Sequence, residues 1–286
     1  MWLRKVLSLI ISISGSLLPG TNFYGAEGDV VVAGPTRHSL TADIDTSDGK
    51  SSFSVAWRIR REAGWHTYWL HPGDVGLPPS IEWVLPEGVS ASPLVFPAPK
   101  RVKMGQIGAH GHQDETRFLT RISISGSYRP AEQLSLKAKI AWLCCSKTCL
   151  PGFANLQLIL PIGTAVRTDE KWSKAFVNFR DQLPKSPPSG WEAKAYDEGG
   201  KFRLVLPTEV TGTSPGLYFF SEGRSVRSNA TQPVREKNGF WELQMTRSAW
   251  SSKDETRLRG LLYRKYGWGE DPDRKFYLLD LPLQKI

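Results

Sequence analysis

The sequence predicts an all-β protein with two β-sandwich domains joined by a short helical linker. The chain has 286 residues, and at roughly 100–200 residues per domain this length favours two domains. Its 26 glycines and 20 prolines interrupt the chain at short intervals, which disfavours long helical bundles. Between these residues, short segments alternate apolar and polar side chains, as half-buried strands do.

Residues 1–26 have the features of a secretory signal peptide. Arg4 and Lys5 form a charged start, and residues 6–18 form a short apolar stretch. This stretch is shorter than the 18 or more apolar residues that a membrane-spanning helix needs. We therefore expect an exported protein that is cleaved after Ala26.

The first predicted domain covers residues 27–163. Its strands are expected at residues 52–60, 80–84, 118–125 and 134–143. Turn-forming residues bound nearly all of these segments, so an antiparallel sandwich or barrel is expected.

A helical linker is predicted over residues 164–189. Within it, Trp172, Phe176 and Phe179 lie at helical spacing, Thr168 is the expected N-cap, and the helix is expected to stop before Pro184. Strands then resume, which indicates a second, smaller sandwich over residues 190–286. Its strands are expected at residues 191–196, 202–206, 216–220, 239–245, 257–263 and 275–279.

Charge and motifs exclude several functions. The formal net charge is +9, but basic residues alternate with acidic ones along most of the chain, which is not the basic patch of a nucleic-acid binder. No glycine-rich loop precedes a plausible helix, which disfavours a phosphate-binding loop. We therefore predict no nucleic-acid partner and no cofactor, and we expect a monomer.

The chain has only three cysteines, and all lie in the segment WLCCSKTCLPG at residues 142–152. Alternation along the preceding strand places Cys144 on the buried face and Cys145 on the opposite face. A return strand is expected to begin near Phe153, so Cys145 and Cys149 flank a tight turn in which a disulfide could close. A bond between the adjacent Cys144 and Cys145 would be strained.

From the residues alone, two roles for this cysteine pair remain open. It could be a structural staple, although so short a ring contributes only about 2 kcal/mol in the loop-entropy estimate. It could instead exchange with other thiols, because it lies at a surface turn and Lys147 could favour a thiolate.

Two regions of the sequence resemble a known family. The segment GWHTYWLHPGDVGLPP at residues 64–79 and the segment WLCCSKTCLPG resemble the N-terminal periplasmic region of DsbD-type and ScsB-type protein-disulfide reductases. The same family is described as the disulfide bond corrector DsbC-like domain family. The second half, from residue 217 onward, resembles the second β-sandwich of the ScsB-type region.

The resemblance implies immunoglobulin-like sandwiches and a periplasmic electron relay. Cys145 and Cys149 would be the exchanging pair, with Cys149 as the attacking thiol and Cys145 as the resolving thiol. Electrons would come from a membrane-embedded DsbD/CcdA-like donor and pass to a periplasmic thioredoxin-like protein. The chain ends at Ile286 without the transmembrane and thioredoxin domains of full-length relatives, so the donor is expected to be another polypeptide.

Other residues are candidates for covering the cysteine pair or tuning its pKa. Aromatic Trp65, Tyr68 and Trp69 either pack in the sheets or shield the thiols. His110 and His112 replace the Tyr-Gly-Tyr-like element that the resemblance leads us to expect near the pair. They are either a solvated loop pair or imidazoles that sit over the cysteines.

A hypothesis of a different class is a periplasmic copper-binding or copper-tolerance protein. Thiolates together with imidazoles bind soft metal ions, so Cys145, Cys149, His110 and His112 would be the ligands. A third hypothesis is a non-catalytic interaction domain with a structural disulfide.

Overall fold

A computed structural model describes residues 26–210, 216–269 and 271–286. Over these residues it contains eighteen β-strands and one α-helix. The protein is therefore all-β, as the sequence predicts. Residues 1–25 of the predicted signal peptide lie outside the described residues.

We define the first sandwich as strands β1–β11. They are β1 (Val31–Ala33), β2 (Thr36–Ala42), β3 (Phe53–Arg61), β4 (His66–Tyr68), β5 (Ser80–Val84), β6 (Val89–Ala91), β7 (Lys100–Met104), β8 (Ile107–His112), β9 (Glu115–Ile124), β10 (Gln133–Cys145) and β11 (Cys149–Pro161). One sheet has the order β1-β2-β3-β9-β6, and the other has the order β11-β10-β4-β8-β7 with β5 also paired to β10. The hydrophobic core of this sandwich includes the buried residues Trp57, Phe118, Leu136 and Leu158.

The hairpin β10–β11 is the longest pairing in the first sandwich. The alternating residues of β10 are all buried, which confirms the predicted inward face: Leu134, Leu136, Ala138, Ile140, Trp142 and Cys144. The return strand begins at Cys149 and not near Phe153, because the backbone pairing continues up to the turn. The hairpin therefore carries its two strand ends to a single tight turn.

The α-helix α1 (Glu170–Asp181) lies in the predicted linker. Its N-cap is Asp169 and not Thr168, because the Asp169 carboxylate accepts a hydrogen bond from the Trp172 backbone N–H at 2.9 Å. Trp172 and Phe176 are buried against Ala56 and Leu119, on the outer face of the five-stranded sheet. The helix thus packs on the first sandwich and is not a free spacer. Among the described residues, no helix has the length and apolar character needed to cross a membrane.

We define the second sandwich as strands β12–β18. They are β12 (Lys194–Asp197), β13 (Lys201–Pro207), β14 (Leu217–Ser221), β15 (Val234–Lys237), β16 (Phe240–Thr246), β17 (Arg257–Arg264) and β18 (Phe276–Lys285). Their order is β14-β17-β18-β12-β13-β16-β15. The first part of β18 pairs antiparallel with β17 and its end pairs parallel with β12, so β18 links two layers around a core that contains Phe202, Phe219 and Leu243.

Several strands were not predicted, among them β2, β7, β8 and β15. Strand β2 is buried along almost its whole length, so it shows no alternation. Strand β8 has the sequence IGAHGH, in which the glycines and histidines do not give the alternation of apolar and polar residues that predicts a strand.

The interpretation of His110 and His112 as a solvated loop pair is wrong, since both lie in β8 and are buried. The domain boundaries at residues 27–163, 164–189 and 190–286 stay predictions.

An aromatic cluster joins the two sandwiches. Trp69 follows β4 of the first sandwich and packs with Tyr218, Phe220 and Leu261 of the second. All four residues are less than 10% exposed, at 4%, 7%, 3% and 3% respectively. The segment that follows β4 is therefore in direct contact with the second sandwich.

We expect the protein to lose stability in mild acid. Burial lowers the pKa of all five histidines, to about 3 for His38 and about 4 for His110. Below the unfolded pKa near 6.5, the unfolded chain binds more protons than the folded chain, so unfolding becomes easier. The contribution of the neutral histidines to the free energy of unfolding should be complete above about pH 6.5. It should decrease towards pH 4, by at most about 1.4 kcal/mol per pH unit per histidine.

Urea unfolding of the oxidised protein across this pH range measures the effect. A His110→Gln variant should show a shallower pH dependence than the wild type. A free energy of unfolding that stays constant between about pH 7 and pH 5 would contradict the burial of neutral histidines.

Candidate functional site

A disulfide bond joins Cys145 and Cys149 at the turn of the β10–β11 hairpin. The two residues face each other in the strand pairing, and their Cα atoms are 4.1 Å apart. Ser146, Lys147 and Thr148 form the turn, and the Ser146 backbone N–H donates to the Thr148 carbonyl at 2.9 Å. The predicted pairing of Cys145 with Cys149 is confirmed.

The two sulfur-bearing residues differ in exposure. Cys145 is 0% exposed, whereas Cys149 is partly exposed at the edge of the turn. In thiol–disulfide exchange, the attacking thiolate must reach a sulfur along the line of the S–S bond. An external thiol therefore reaches Cys149 more readily than Cys145.

Tyr68 supplies a hydrogen-bond donor to this disulfide. Strand β4 lies beside β10, with His66 opposite Cys145, so Tyr68 is carried next to the turn. The Tyr68 hydroxyl lies 3.2 Å from the Cys145 Sγ and 4.0 Å from the Cys149 Sγ. Burial raises the pKa of Tyr68, so this hydroxyl stays protonated and can donate to a thiolate on Cys145 once the bond is reduced.

We define the cap segment as residues 69–79, between β4 and β5. Val75 of this segment belongs to a packed cluster with Tyr68, Val102, Cys145 and Cys149. The backbone of Gly76 lies on the Tyr68 ring, and a Cβ there would come within 2.2 Å of the ring. Its φ of 100° also favours glycine. The cap segment thus covers the tyrosine that contacts the disulfide.

Arg61, at the end of β3, holds β4 in place through hydrogen bonds of its side chain. Its buried guanidinium donates to the Thr67 hydroxyl at 2.6 and 3.0 Å and to the Thr116 hydroxyl at 3.0 Å. Burial lowers the pKa of Arg61 to about 10, so the side chain remains charged at neutral pH. The sequence analysis did not identify this residue, because an arginine at a strand end is usually solvated.

Cys144 is separated from the disulfide-bonded pair by the alternation of β10. It is a free thiol that is 1% exposed in the core of the first sandwich. Burial raises its pKa to about 11, so it stays protonated. The prediction of a buried thiol at this position is confirmed, and Cys144 points away from the Cys145–Cys149 bond.

The structure does not bring His112 to the disulfide. His112 lies opposite Thr67, and Thr67 lies opposite Cys144, so these three side chains share the inner face of the sheet. The His112 ring packs edge-on against Phe118, with 5.7 Å between ring centroids. Burial holds its pKa well below the usual value, so it is a neutral core residue.

His110 contacts the second sandwich. Its Nε2 lies 3.1 Å from the Tyr218 hydroxyl oxygen, and its Nδ1 lies 3.3 Å from the His71 carbonyl oxygen. Its ring centroid lies 4.8 Å from that of Phe220. His110 therefore does not lie over the cysteines. It forms part of the contact between the two sandwiches.

Of the remaining candidates, only Tyr68 contacts the sulfurs by hydrogen bonding. Trp65 packs against the core of the first sandwich, and Trp69 packs against the second sandwich. Lys147 is exposed in the turn. No group of three or more His, Cys, Asp or Glu side chains within the described ranges is arranged to hold a metal ion, so the alternative ligand set does not assemble there.

His66 is a neighbour of the pair that the sequence analysis did not select. It lies opposite Cys145 on β4 and is 3% exposed. Its ring meets Tyr68 edge-on, with 5.4 Å between centroids. Within the described part of the chain, its Nε2 has no hydrogen-bond partner. Only the strand pairing of β4 with β10, which the sequence does not reveal, brings it to the site.

Comparisons with known proteins agree with this geometry. Residues 37–161, which include both bonded cysteines and Tyr68, match the family model described as thiol:disulfide interchange protein DsbD, N-terminal. A crystal structure of the N-terminal periplasmic domain of ScsB from Proteus mirabilis has a similar fold, with a TM-score of 0.68 and 15% sequence identity. The alignment covers 91% of this chain and 98% of the ScsB domain. No curated protein matches the sequence significantly.

We expect Tyr68→Phe to make the Cys145–Cys149 couple harder to reduce. The variant keeps the ring but removes the hydroxyl that can stabilise a Cys145 thiolate. The reduction potential should become more negative by roughly 10–30 mV, and the pKa of the Cys145 thiol should rise. Equilibration in glutathione buffers measures the potential, and alkylation rates against pH measure the thiol pKa.

Tyr128→Phe is the matched control, because Tyr128 is also buried but packs in the core of the first sandwich. It should leave the potential unchanged. If Tyr68→Phe and Tyr128→Phe behave alike, the Tyr68 hydroxyl has no part in the redox chemistry.

Proposed function

Since residues 37–161 match the family model described as thiol:disulfide interchange protein DsbD, N-terminal, we propose that this protein is a periplasmic thiol–disulfide exchange module. It relays electrons from a membrane-embedded reductase to oxidised thioredoxin-like proteins. The observation that carries this proposal is the disulfide at a surface turn, with one partly exposed sulfur and one buried sulfur beside a tyrosine hydroxyl.

In the reducing half of the cycle, a thiolate of the donor attacks the Cys149 Sγ. The Cys145–Cys149 bond breaks, a mixed disulfide forms between the donor and Cys149, and the electron pair leaves on the Cys145 sulfur. The Tyr68 hydroxyl stabilises this leaving thiolate. A second donor thiolate then attacks the donor sulfur of the mixed disulfide, which releases Cys149. The module gains two electrons and the donor becomes a disulfide.

In the oxidising half, the Cys149 thiolate attacks the disulfide of a thioredoxin-like protein. A mixed disulfide forms, and one thiolate of the substrate leaves. The Cys145 thiolate then attacks the Cys149 Sγ, reforms the internal disulfide and releases the second substrate thiolate. The difference in exposure between Cys145 and Cys149 supports this order.

Exposed apolar side chains around the disulfide support a protein partner. Leu70 and Leu77 of the cap segment are 44% and 61% exposed, and Leu150, next to Cys149, is 43% exposed. Phe153 is 76% exposed and lies on the same face of β11 as Cys149, because it is four residues further along the strand. Exposed apolar side chains close to an exchanging disulfide suit contact with a protein partner.

Export is part of the proposal. The charged start and the short apolar stretch of residues 1–26 support a cleaved signal peptide. An oxidising compartment is also where a Cys145–Cys149 disulfide would form and be consumed. The proposed location is the periplasm.

A redox titration tests the proposed function against a structural staple. The purified protein is equilibrated in glutathione buffers, and the bonded cysteines are identified by peptide mapping, with Cys149→Ser as the control. A relay should give a reversible Cys145–Cys149 couple between roughly −180 and −300 mV. A bond that resists reduction in this range would make the pair a staple and overturn the relay.

We expect Cys145→Ser to trap the exchange intermediate. In this variant, reduced Cys149 can attack a substrate disulfide but no resolving thiol remains, so the mixed disulfide should accumulate. Cys149→Ser should trap at least about tenfold less, because the remaining Cys145 thiol is buried. Non-reducing electrophoresis and mass spectrometry with an oxidised thioredoxin-like protein measure the product.

Both variants are compared in a Cys144→Ala background, which removes the only other thiol. Equal trapping by the two variants would contradict the assignment of Cys149 as the attacking thiol.

A further inference from the structure

The second sandwich holds the cap segment through a set of reciprocal hydrogen bonds. We define the clamp loop as residues 222–233, between β14 and β15. The Asp74 backbone N–H donates to the Ser228 hydroxyl oxygen at 2.9 Å, and the Asn229 backbone N–H donates to the Asp74 carboxylate at 3.1 Å. Each chain segment thus provides a donor and an acceptor to the other.

The same two clamp-loop residues also bind strand β8. The Ser228 hydroxyl donates to the Gly108 carbonyl oxygen at 2.8 Å, and the Gly108 backbone N–H donates to the Asn229 side-chain oxygen at 2.7 Å. Ser228 is 2% exposed. Ser228 and Asn229 therefore tie the cap segment to β8 from outside the first sandwich.

The fit at this contact is close. Gly73 has a φ of 87°, and a Cβ there would lie 2.3 Å from the Ser228 hydroxyl oxygen, so the position needs glycine. Nearby, the Gly223 backbone N–H donates to the His71 Nδ1 at 2.9 Å. The clamp loop thus contacts the cap segment at two points.

Within the first sandwich, backbone hydrogen bonds hold the start of the cap segment. The Trp69 N–H donates to the His110 carbonyl at 3.0 Å, and the His110 N–H donates to the Pro72 carbonyl at 2.9 Å. The next residues, Gly73 and Asp74, are held by the clamp loop. Two residues further on, Gly76 lies against the Tyr68 ring. The clamp loop therefore acts on the part of the cap segment that covers the redox centre.

We propose that the second sandwich is a clamp that keeps the cap closed over the Cys145–Cys149 pair, with Ser228 and Asp74 as positioning residues that set thiol access to Cys149. This inference rests on the proposed exchange function for its biological meaning. Neither residue touches a sulfur. Their effect is on how often the cap segment opens, because opening breaks the hydrogen bonds that cross from the clamp loop.

The experiment uses the full protein and three single variants. Ser228→Ala removes the hydroxyl that bridges Asp74 and Gly108, and Asp74→Ala removes the carboxylate that accepts from Asn229. Ser225→Ala is the matched control, because the Ser225 hydroxyl lies in the same loop but donates to Glu255 of the second sandwich. Thermal unfolding verifies that each variant is folded.

Two access rates are measured with small reagents. One is the reduction of the disulfide by dithiothreitol, and the other is the alkylation of reduced Cys149 by iodoacetamide. In Ser228→Ala and Asp74→Ala both rates should rise by about five- to tenfold, since loss of one hydrogen bond that is present only in the closed state shifts an opening equilibrium by about this factor. The reduction potential and the Ser225→Ala rates should match the wild type.

Amide hydrogen exchange of residues 70–79 completes the test. Faster exchange together with faster chemistry supports the clamp. Faster exchange with unchanged chemistry would overturn it, because the cap would then not control access. Unchanged exchange would also overturn it, because the clamp loop would then not hold the cap. If Ser228→Ala fails to fold, Asp74→Ala decides, since it removes only a loop carboxylate.

These readouts are independent of the relay. Dithiothreitol and iodoacetamide need no protein partner, so the clamp can be supported even where no mixed disulfide forms with a thioredoxin-like protein. Conversely, the protein could trap mixed disulfides while the Ser228→Ala and Asp74→Ala variants leave the access rates unchanged. That result would overturn the clamp and leave the relay supported.

Discussion

The strand register around β10 is the constraint on which the site depends. Cys145 lies opposite Cys149 on one side and opposite His66 on the other, so one position of one strand brings together the disulfide and the strand that carries Tyr68. A slip of one residue would turn Cys144 outward and bury Cys145 in the core. The apolar residues of β10 oppose this slip, because a shift by one residue would turn them away from the core.

The surroundings make the two cysteines chemically different. Cys145 is enclosed and faces a hydroxyl that burial keeps protonated, whereas Cys149 faces the solvent edge of the turn. Arg61 stabilises this arrangement by binding Thr67, the residue before Tyr68, and the cost of burying its charge is offset by several hydrogen bonds. A disulfide with these surroundings has a defined point of attack and a defined leaving group.

The two sandwiches cooperate at the segment between β4 and β5. Trp69 packs into an aromatic cluster of the second sandwich, and His110 reaches Tyr218 across the same contact. Buried neutral histidines and reciprocal hydrogen bonds make this contact specific, because each buried polar group needs its partner. The second sandwich is therefore placed where it can influence the cap segment of the first sandwich, although none of these contacts joins it to the cysteine sulfurs.

The sequence by itself determined the all-β class, most strand positions of the second sandwich, the longer strands β3, β9 and β10 of the first sandwich, the inward face of β10 and the pairing of Cys145 with Cys149. These features depend on alternation and short-range spacing, which are local properties. Only the tertiary structure decided that Tyr68 and His66 lie beside the disulfide, that Arg61 anchors their strand, and that His110 and His112 are elsewhere. It also placed Ser228 against Asp74, 154 positions away in the chain. The physical reason is that pairing between distant strands and packing between two sandwiches depend on the three-dimensional path of the chain, and no local pattern of residues records that path.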